Sequence, residues 1–458
     1  MNKDTIVAVA TPRGVGGIAV VRLSGPDAMP MSLRHLSVDS LQPRRATYCQ
    51  LYKSYFHGPQ VEVKEVYIDD VVVVYFPEGY TGEPTVEISC HGSLYVQQAV
   101  VQMLVDEGAR MAEPGEFTMR AFRNGKLNLS QAEAVADLID AVTPSQHRLA
   151  VSQLRGGYAD ELKALRQQLV DLTALLELEL DFSQEDVEFA DRTRLLQLVN
   201  DTSLRISILR STFHLGNALK HGIPVAIIGR PNAGKSSLLN ALLSDNRAIV
   251  SPIAGTTRDT IEETVNIAGV TFRLIDTAGL HPTDDPLECQ GILRTKAAAA
   301  QADIILYVHD ATQPWTDAIE DLQALRDQSN VRIDSKHLWI VVNKIDLPEA
   351  IVSTQKLGIA VSSLLGTGLD RLRERMVSAV NNDIDAGQTM LTNARHYEAL
   401  GRTNQALLQV AQGLADGIPT DLIAVDLRDA LYHLGTITGE VTNDELLSNI
   451  FSRFCIGK

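Results

Sequence analysis

No stretch of about 18 apolar residues occurs in the chain, which excludes a hydrophobic membrane-spanning helix. The opening Met1-Asn2-Lys3-Asp4-Thr5 carries an acid and lacks the apolar core of a secretory signal, so a cytoplasmic location is expected. Cysteine is scarce. There are four, Cys49, Cys90, Cys289 and Cys455, with no CxxC pair among them. That spacing fits neither a zinc site nor a disulfide framework, and each reads by itself as a small buried or surface residue. Positive charge is short as well: 41 Lys and Arg face 57 Asp and Glu, leaving a net charge of −16. Such a chain has no basic coat for tracking a phosphate backbone, so an RNA substrate would need local contacts or a partner's positive surface. Internal repeats and low-complexity tracts are missing too.

What is present is ordinary globular material, 45% hydrophobic and 21% charged, in 458 residues, enough for roughly three domains. The first ~120 residues alternate short apolar runs with glycine-rich turns. Thr5 to Ala10 and Ile18 to Leu23 read as strands around the loop from Pro12 to Gly17, with further strands at Asp70 to Phe76 and Thr85 to Ser89. An amphipathic helix from Ser93 to Asp106 completes a small α/β domain. From Ser130 the pattern becomes helical, opened by a capping box on Ser130 and Glu133. Apolar residues at helical spacing continue to about Leu215 and return from Ala394 to Phe454. These two segments flank a separate domain and are expected to pack as one bundle, with that domain inserted between them.

The inserted stretch carries the clearest chemistry. Val225 to Ile228 is a short buried strand, followed at once by Gly229-Arg-Pro-Asn-Ala-Gly234-Lys235-Ser236 and a helical run. This is GxxxxGK[ST] in its strand–loop–helix context. The glycines let the backbone turn so that its N–H groups and the helix N-terminus cradle phosphates. Lys235 neutralises β and γ oxygens, and Ser236 offers a hydroxyl to Mg²⁺. Two later strands end in Asp276-Thr277-Ala278-Gly279 and in Asn343-Lys344-Ile345-Asp346. Asp276 is placed for the Mg²⁺ shell and Gly279 for the γ-phosphate. A carboxylate at Asp346 accepts from both the ring N–H and the exocyclic amine of guanine, a donor pair adenine lacks. The base is therefore guanine and the ligand GTP. Ser362 and Ser363 end a further strand where a base-contacting loop belongs. Order and spacing are those of the Ras-like GTPases. The hydrolytic machinery departs from them, because Leu280 stands where a water-orienting glutamine is expected and leucine cannot hold water. Glu288 is the best local replacement, although from the sequence alone a solvated acid at a helix start is the plainer reading. Gly255 to Asp259 is the switch I candidate, with Thr257 reaching the metal. Arg258 there reads as an arginine finger or as an exposed salt-bridging residue.

Taken end to end, the chain resembles the MnmE (TrmE) family of tRNA uridine-modification GTPases. The likeness rests on Gly16 to Gly25, Thr81-Gly82-Glu83, His91-Gly92, Pro114 to Leu127 and Gln131 to Ala134. It also rests on the phosphate loop, Gly255 to Asp259, and the terminal Cys455-Ile456-Gly457-Lys458. The fold class it implies is multidomain. An α/β N-terminal folate-binding and dimerisation domain (1–119) precedes an all-α helical domain in two parts (120–221 and 379–458), with an inserted Ras-like α/β P-loop G domain at 222–378.

The resemblance also implies a set of site residues. Nucleotide contacts fall on Asn232, Ala233, Gly234, Lys235, Ser236 and Ser237, then on Ser251, Pro252, Ile253, Ala254, Gly255, Thr256 and Thr257. They continue at Asp276, Thr277, Ala278 and Gly279, and at Asn343, Lys344, Asp346, Ser362 and Ser363. Mg²⁺ falls to Ser236 and Thr257, and K⁺ at a G-domain dimer to Asn232, Ser251, Ile253 and Thr256. Glu288 matches the water-orienting residue. A 5-formyltetrahydrofolate falls to Arg22, Glu87, Lys126 and Lys458, cations meeting glutamate carboxylates and a carboxylate meeting a pterin donor edge. Cys455 matches a candidate catalytic thiol, with no activating base legible. The implied partners are a second copy, an FAD-dependent MnmG-type protein in a heterotetramer or larger complex, and tRNA. His281, Cys289-Gln290-Gly291, Ser363-Leu364 and Ser93 depart from the family pattern without removing a phosphate, metal or folate group. Two other readings stay open: a ribosome-assembly switch without chemistry of its own, and a folate-dependent transferase with a vestigial GTPase.

Overall fold

The computed structural model describes residues 4–55, 64–181, 192–244, 262–276, 298–328, 337–351, 357–382, 389–452 and 454–458. Two compact units result. One comprises Met1–Ala136, Gln153–Asp171 and Leu431–Lys458, and the other Asp137–Ser152 and Leu172–Ala430.

In the first unit the strands are β1 (Ile6–Val9), β2 (Ile18–Ser24), β3 (Thr47–Tyr55), β4 (Lys64–Phe76), β5 (Thr85–His91) and β6 (Arg110–Met111). They form one sheet in the order β3-β4-β5-β2-β1-β6. Alternation with period two assigns its faces. Ala19, Val21 and Leu23 of β2 and Val86 and Ile88 of β5 are buried with Val100, Met103 and Leu104 of helix α2 (Leu94–Asp106), which follows α1 (Ala28–Leu33). The opposite face carries Val20 and Arg22 beside Ser89 and Glu87, because Arg22 pairs in register with Glu87. Helix α3 (Glu116–Arg123) closes one end of that face by placing Phe117 on Ile6 and Ala8.

Helix α4 (Leu129–Asp140) begins one residue before the expected capping box, so its cap lies two residues earlier. Ser130 is buried within the first turn. The cap is instead made by Asn128 and Gln131. The Gln131 amide N–H donates to Asn128 Oδ1 (2.8 Å), and the Asn128 N–H donates to Gln131 Oε1 (3.0 Å). This is the same reciprocal device shifted along the chain. Helices α5 (Pro144–Leu154), α6 (Gly157–Asp181), α7 (Arg192–Ser211) and α8 (Phe213–His221) follow.

The second unit holds β7 (Ile223–Ile228), α9 (Lys235–Ser244), β8 (Glu262–Ile267), β9 (Val270–Asp276), β10 (Ile304–Asp310), α10 (Trp315–Gln328), β11 (His337–Asn343), β12 (Ile359–Ala360) and α11 (Leu369–Asn382). The sheet order is β12-β11-β10-β7-β9-β8, parallel except for β8 on β9. All six residues of β7 are buried, as a strand covered on both faces requires. Strand order reverses at β7, and the ligand crevice of such a sheet lies beyond the carboxyl ends of its strands. The remaining helices are α12 (Ala394–Asp416), α13 (Thr420–Thr438) and α14 (Asp444–Phe451).

The flanking helical segments meet in both units. In the second, Ser203 of α7 donates to Asn404 of α12 (2.7 Å), and Phe213 stacks on Tyr397 (4.4 Å). In the first, Leu129 and Ala132 of α4 are buried with Leu447 and Phe451 of α14. The G sheet is joined closely to its connecting segments. The Leu391 N–H donates to Thr212 Oγ1 (3.0 Å), Gly216 lies against the Leu391 carbonyl, and Met390 belongs to the core beneath β7.

Loss of the observed cap is expected to cost about 1 kcal/mol. Asn128→Ala should lower denaturant stability by about that much, and an unchanged urea midpoint would refute the assignment.

Candidate functional site

The carboxyl ends of β7, β9, β10, β11 and β12 bring the nucleotide motifs to one edge of the second unit's sheet. Gly229 and Gly234 adopt φ of 149° and 92°, and Asn232 adopts 61°, so the loop after β7 turns through left-handed backbone at three points. Helix α9 begins at Lys235, which aims the N–H groups of Lys235, Ser236 and Ser237 out of its first turn. The Lys235 ammonium lies along the loop and donates to the Gly229 and Arg230 carbonyls (2.9 Å each). Asp276 closes β9 opposite Ile227 of β7, which places it next to the start of the loop. A serine hydroxyl in the first turn and a carboxylate on the neighbouring strand are hard oxygen donors of the kind Mg²⁺ takes.

The segment that follows β11 is tied to the phosphate loop by Asn343, which is buried. Its Nδ2 donates to the Ala233 carbonyl (3.1 Å), and its Oδ1 accepts from the Ser363 N–H (3.0 Å) and hydroxyl (2.9 Å). Gly234 makes the first contact possible, since any Cβ there would overlap Asn343 Nδ2. Ser362, also buried, accepts from the Leu365 N–H (3.1 Å) and so holds the Ser362 to Gly366 turn. Lys344 has φ of 65° and pairs with Asp310 at the end of β10 (2.7 Å). Burial alone would raise the Asp310 pKa, but the bonds from Lys344 and from the Thr312 N–H and hydroxyl outweigh it and hold the carboxyl below its ordinary range. Asp346 is half-buried in the turn that follows. Ser251, Pro252, Ile253, Ala254, Gly255, Thr256, Thr257 and Arg258 lie outside the described residues, as do Thr277, Ala278, Gly279, Leu280, His281 and the segment from Glu288 to Gly291.

A second cluster forms in the first unit. Register brings Arg22 and Glu87 side by side, and the guanidinium bonds Glu87 Oε1 through Nε (2.9 Å) and Nη2 (2.8 Å). Nη1 reaches the Gly457 carbonyl (3.4 Å), while the rings of Tyr80 and Phe117 lie 5.9 and 5.7 Å from the guanidinium carbon. The carboxyl-terminal tail is thereby docked. The Gly115 N–H donates to the Cys455 carbonyl (3.4 Å), Ile456 bridges to Pro114, and Gly457 sits at φ of 96° against the Val9 carbonyl. Lys126 pairs with Glu78, at the start of the segment that also carries Tyr80. Cys455 is exposed on the wall of a cleft of about 1300 Å³, which Thr11 to Gly14 and Leu94, Tyr95 and Gln97 also line.

Sequence reasoning missed the groups that hold these residues in place. Arg120, almost fully buried, bonds Glu116 (3.0 Å), Asp4 (2.8 Å) and Glu83 (3.2 Å), and Arg110 joins Asp4 and Glu116. The Glu116–Arg120 spacing of four residues was the available signal. His91 is fixed by buried Asp69, which accepts from its Nδ1 and its N–H (2.7 Å each). No local pattern marked Asp69 or Asp310, whose partners lie 22 and 34 residues away.

Two sequence families match the chain. One, described as GTP-binding protein TrmE N-terminus, covers residues 5–126, and the other, described as MnmE helical domain, covers 129–455. A protein from Cytophaga hutchinsonii named tRNA modification GTPase MnmE is 44% identical over 464 residues, with 100% of this chain and 98% of its own length aligned. The protein of the same name from Bacteroides fragilis is 46% identical over 479 residues, 100% of each chain. Among solved structures, Era of Aquifex aeolicus bound to GDP·AlF4⁻ is 28% identical, covering 40% of this chain and 66% of its own, with a TM-score of 0.26.

Gly234→Ala is expected to lower GTP affinity about tenfold or more, because the methyl group needs both the Asn343 amide's place and a strained backbone. Parental affinity in a fluorescent-nucleotide titration would contradict that geometry. For Glu116, burial alone would raise the pKa, but bonds from Arg110, the Glu113 N–H and Arg120 hold it below its ordinary 4.5. A carboxyl depressed by folding contributes stability that is full above its unfolded pKa and is lost as pH falls through the folded one. The melting temperature should therefore fall as pH drops below about 4.5. Glu116→Gln should flatten this dependence, and an identical acid slope in parent and variant would count against the network.

Proposed function

The chain belongs to the MnmE (TrmE) family of tRNA modification GTPases, and on that premise we propose a specific modification for it. With an FAD-dependent MnmG-type partner, it adds an aminomethyl or carboxymethylaminomethyl group to carbon five of the tRNA wobble uridine. It is a GTP-hydrolysing enzyme. The proposed reading adds that the one-carbon unit derives from a formyltetrahydrofolate, that the chain works as a cytoplasmic homodimer within a larger complex, and that K⁺-dependent pairing of G domains accompanies hydrolysis. The domain limits 1–119, 120–221, 222–378 and 379–458 are part of the same proposal. Among the described residues no helix is long and apolar enough to cross a membrane.

On this reading Lys235 and the N–H groups from Asn232 to Ser237 hold the phosphates, and Asn343, Lys344, Asp346, Ser362 and Ser363 form the guanine-reading segment. Ser236 and Thr257 would hold Mg²⁺, with Asp276 also placed for its shell. The ion supplies positive charge for the phosphate oxygens. Asn232, Ser251, Ile253 and Thr256 would hold K⁺, and Glu288 would orient the attacking water.

The modification half rests on one observation above others. Arg22, Glu87 and the Cys455–Lys458 tail converge on a half-buried, aromatic-flanked patch of the first unit. A guanidinium and a carboxylate side by side suit a flat heterocycle bearing both acceptors and donors along one edge. Tyr80 and Phe117 supply ring faces beside it. Lys126 and Lys458 would meet the glutamate carboxylates of the folate, whose chemistry is to carry a one-carbon group. Cys455, exposed on the cleft wall, is the candidate thiol.

Nucleoside profiling of tRNA from cells with and without the gene tests the whole reading. Loss of the wobble-uridine modification is expected, and full modification without the protein would end the proposal. Calorimetry with 5-formyltetrahydrofolate separates it from a ribosome-assembly switch, since a switch gives no binding heat and Arg22→Ala should abolish the heat of a folate site.

A further inference from the structure

Arg230, the second residue of the phosphate loop, directs its side chain away from the loop and toward helix α10. Nε and Nη2 take the two oxygens of Asp321 (2.9 and 3.1 Å), Nη1 pairs with Asp317, and Nη2 also reaches the Asp317 carbonyl (3.4 Å). Asp317 and Asp321 are four residues apart, so they project from the same face of α10. The receiving carboxylate is itself held, because the Tyr307 hydroxyl of β10 donates to Asp321 Oδ2 (2.6 Å). Helix α10 is packed on the same strand through buried Ala318, which shares a cluster with Ile305 and Tyr307. The same peptide thus has two attachments, since the Arg230 carbonyl also accepts from the Lys235 ammonium.

We propose that Arg230 is a positioning residue of the GTPase: its guanidinium clamps the phosphate loop to α10, and through its own carbonyl sets the place of Lys235. All three nitrogens of its planar head are engaged by α10, so it does not serve as a finger on the transferring phosphate. A bidentate fork fixes direction as well as distance, which a lysine cannot reproduce. The clamp holds the loop before any bond to phosphate is broken, so it acts on bound GTP and GDP alike. In kinetic terms that is uniform binding, which changes KM and leaves kcat. The same helix follows the Asp310 turn that receives Lys344. Clamp and turn together attach the phosphate-reading and base-reading segments to one rigid element.

The test uses the full chain with Arg230→Ala, Arg230→Lys, Asp321→Ala, Tyr307→Phe and the double variant Arg230→Ala/Asp321→Ala. Fluorescent GTP and GDP titrations are read beside KM, kcat and melting temperature. Arg230→Ala should weaken both nucleotides by a similar factor, about three- to tenfold, and raise KM in step with kcat changed less than about twofold. Arg230→Lys should fall between parent and alanine. Tyr307→Phe, which keeps the fold's apolar contacts, should give a smaller loss of the same kind. The double variant should bind no worse than the weaker single one, because both remove one interaction. A fall in kcat at unchanged affinity would overturn the proposal by placing Arg230 on the transition state. Additive losses, full rescue by lysine, or a lowered melting temperature with parental affinity would overturn it as well.

Discussion

The buried amide of Asn343 joins the two halves of the nucleotide site. One end holds the carbonyl of Ala233 in the phosphate loop, and the other holds Ser363 in the loop proposed to read the base. A buried amide left without partners would cost about 1–3 kcal/mol, so neither loop can drift without exposing the other to that penalty. Gly234 follows from the same constraint. Its missing Cβ is the space the amide occupies, and its φ of 92° is the turn that delivers the next residue, Lys235, to the helix start. Glycine there thus answers a packing demand from a strand more than a hundred residues later as well as a local backbone demand.

The first unit depends on a comparable arrangement of charge. Arg120 and Glu116, nearly fully buried, are each held by several partners, which is the condition under which buried charge is tolerated. The network ties the chain start at Asp4 and the loop at Glu83 to helix α3. Helix α3 in turn presents Phe117 to Arg22, and Gly115, just before it, to the Cys455 carbonyl. The patch proposed for folate is therefore assembled from sequence positions spread over almost the whole chain. Its polar groups sit on the one sheet face that the helices α1 and α2 leave uncovered.

Legibility in the sequence tracked the distance over which each feature is decided. The phosphate loop could be read because strand, turn and helix start are contiguous, and β2 and β5 because alternation marks their faces. The cap of α4 could not be read with equal certainty. Asn128/Gln131 and Ser130/Glu133 both carry the pattern, and the choice fell to the packing that buries Ser130. Glu288 and the switch I candidate rest on their place after the nucleotide motifs and on the resemblance, and both lie outside the described residues.

By itself, then, the sequence determined strands such as β1, β2 and β5, helix α2, the Ras-like order of nucleotide motifs and the family, because these depend on local periodicity and on short spacings that geometry constrains tightly. Tertiary structure alone decided that Arg22 stands against Glu87 and the tail, that Lys344 meets Asp310, and that Arg230 turns toward α10. Each of those pairings depends on strand register or helix packing between residues 34 to 435 positions apart. A charged side chain carries no mark of which distant partner will compensate its burial, so only the folded chain supplies that information.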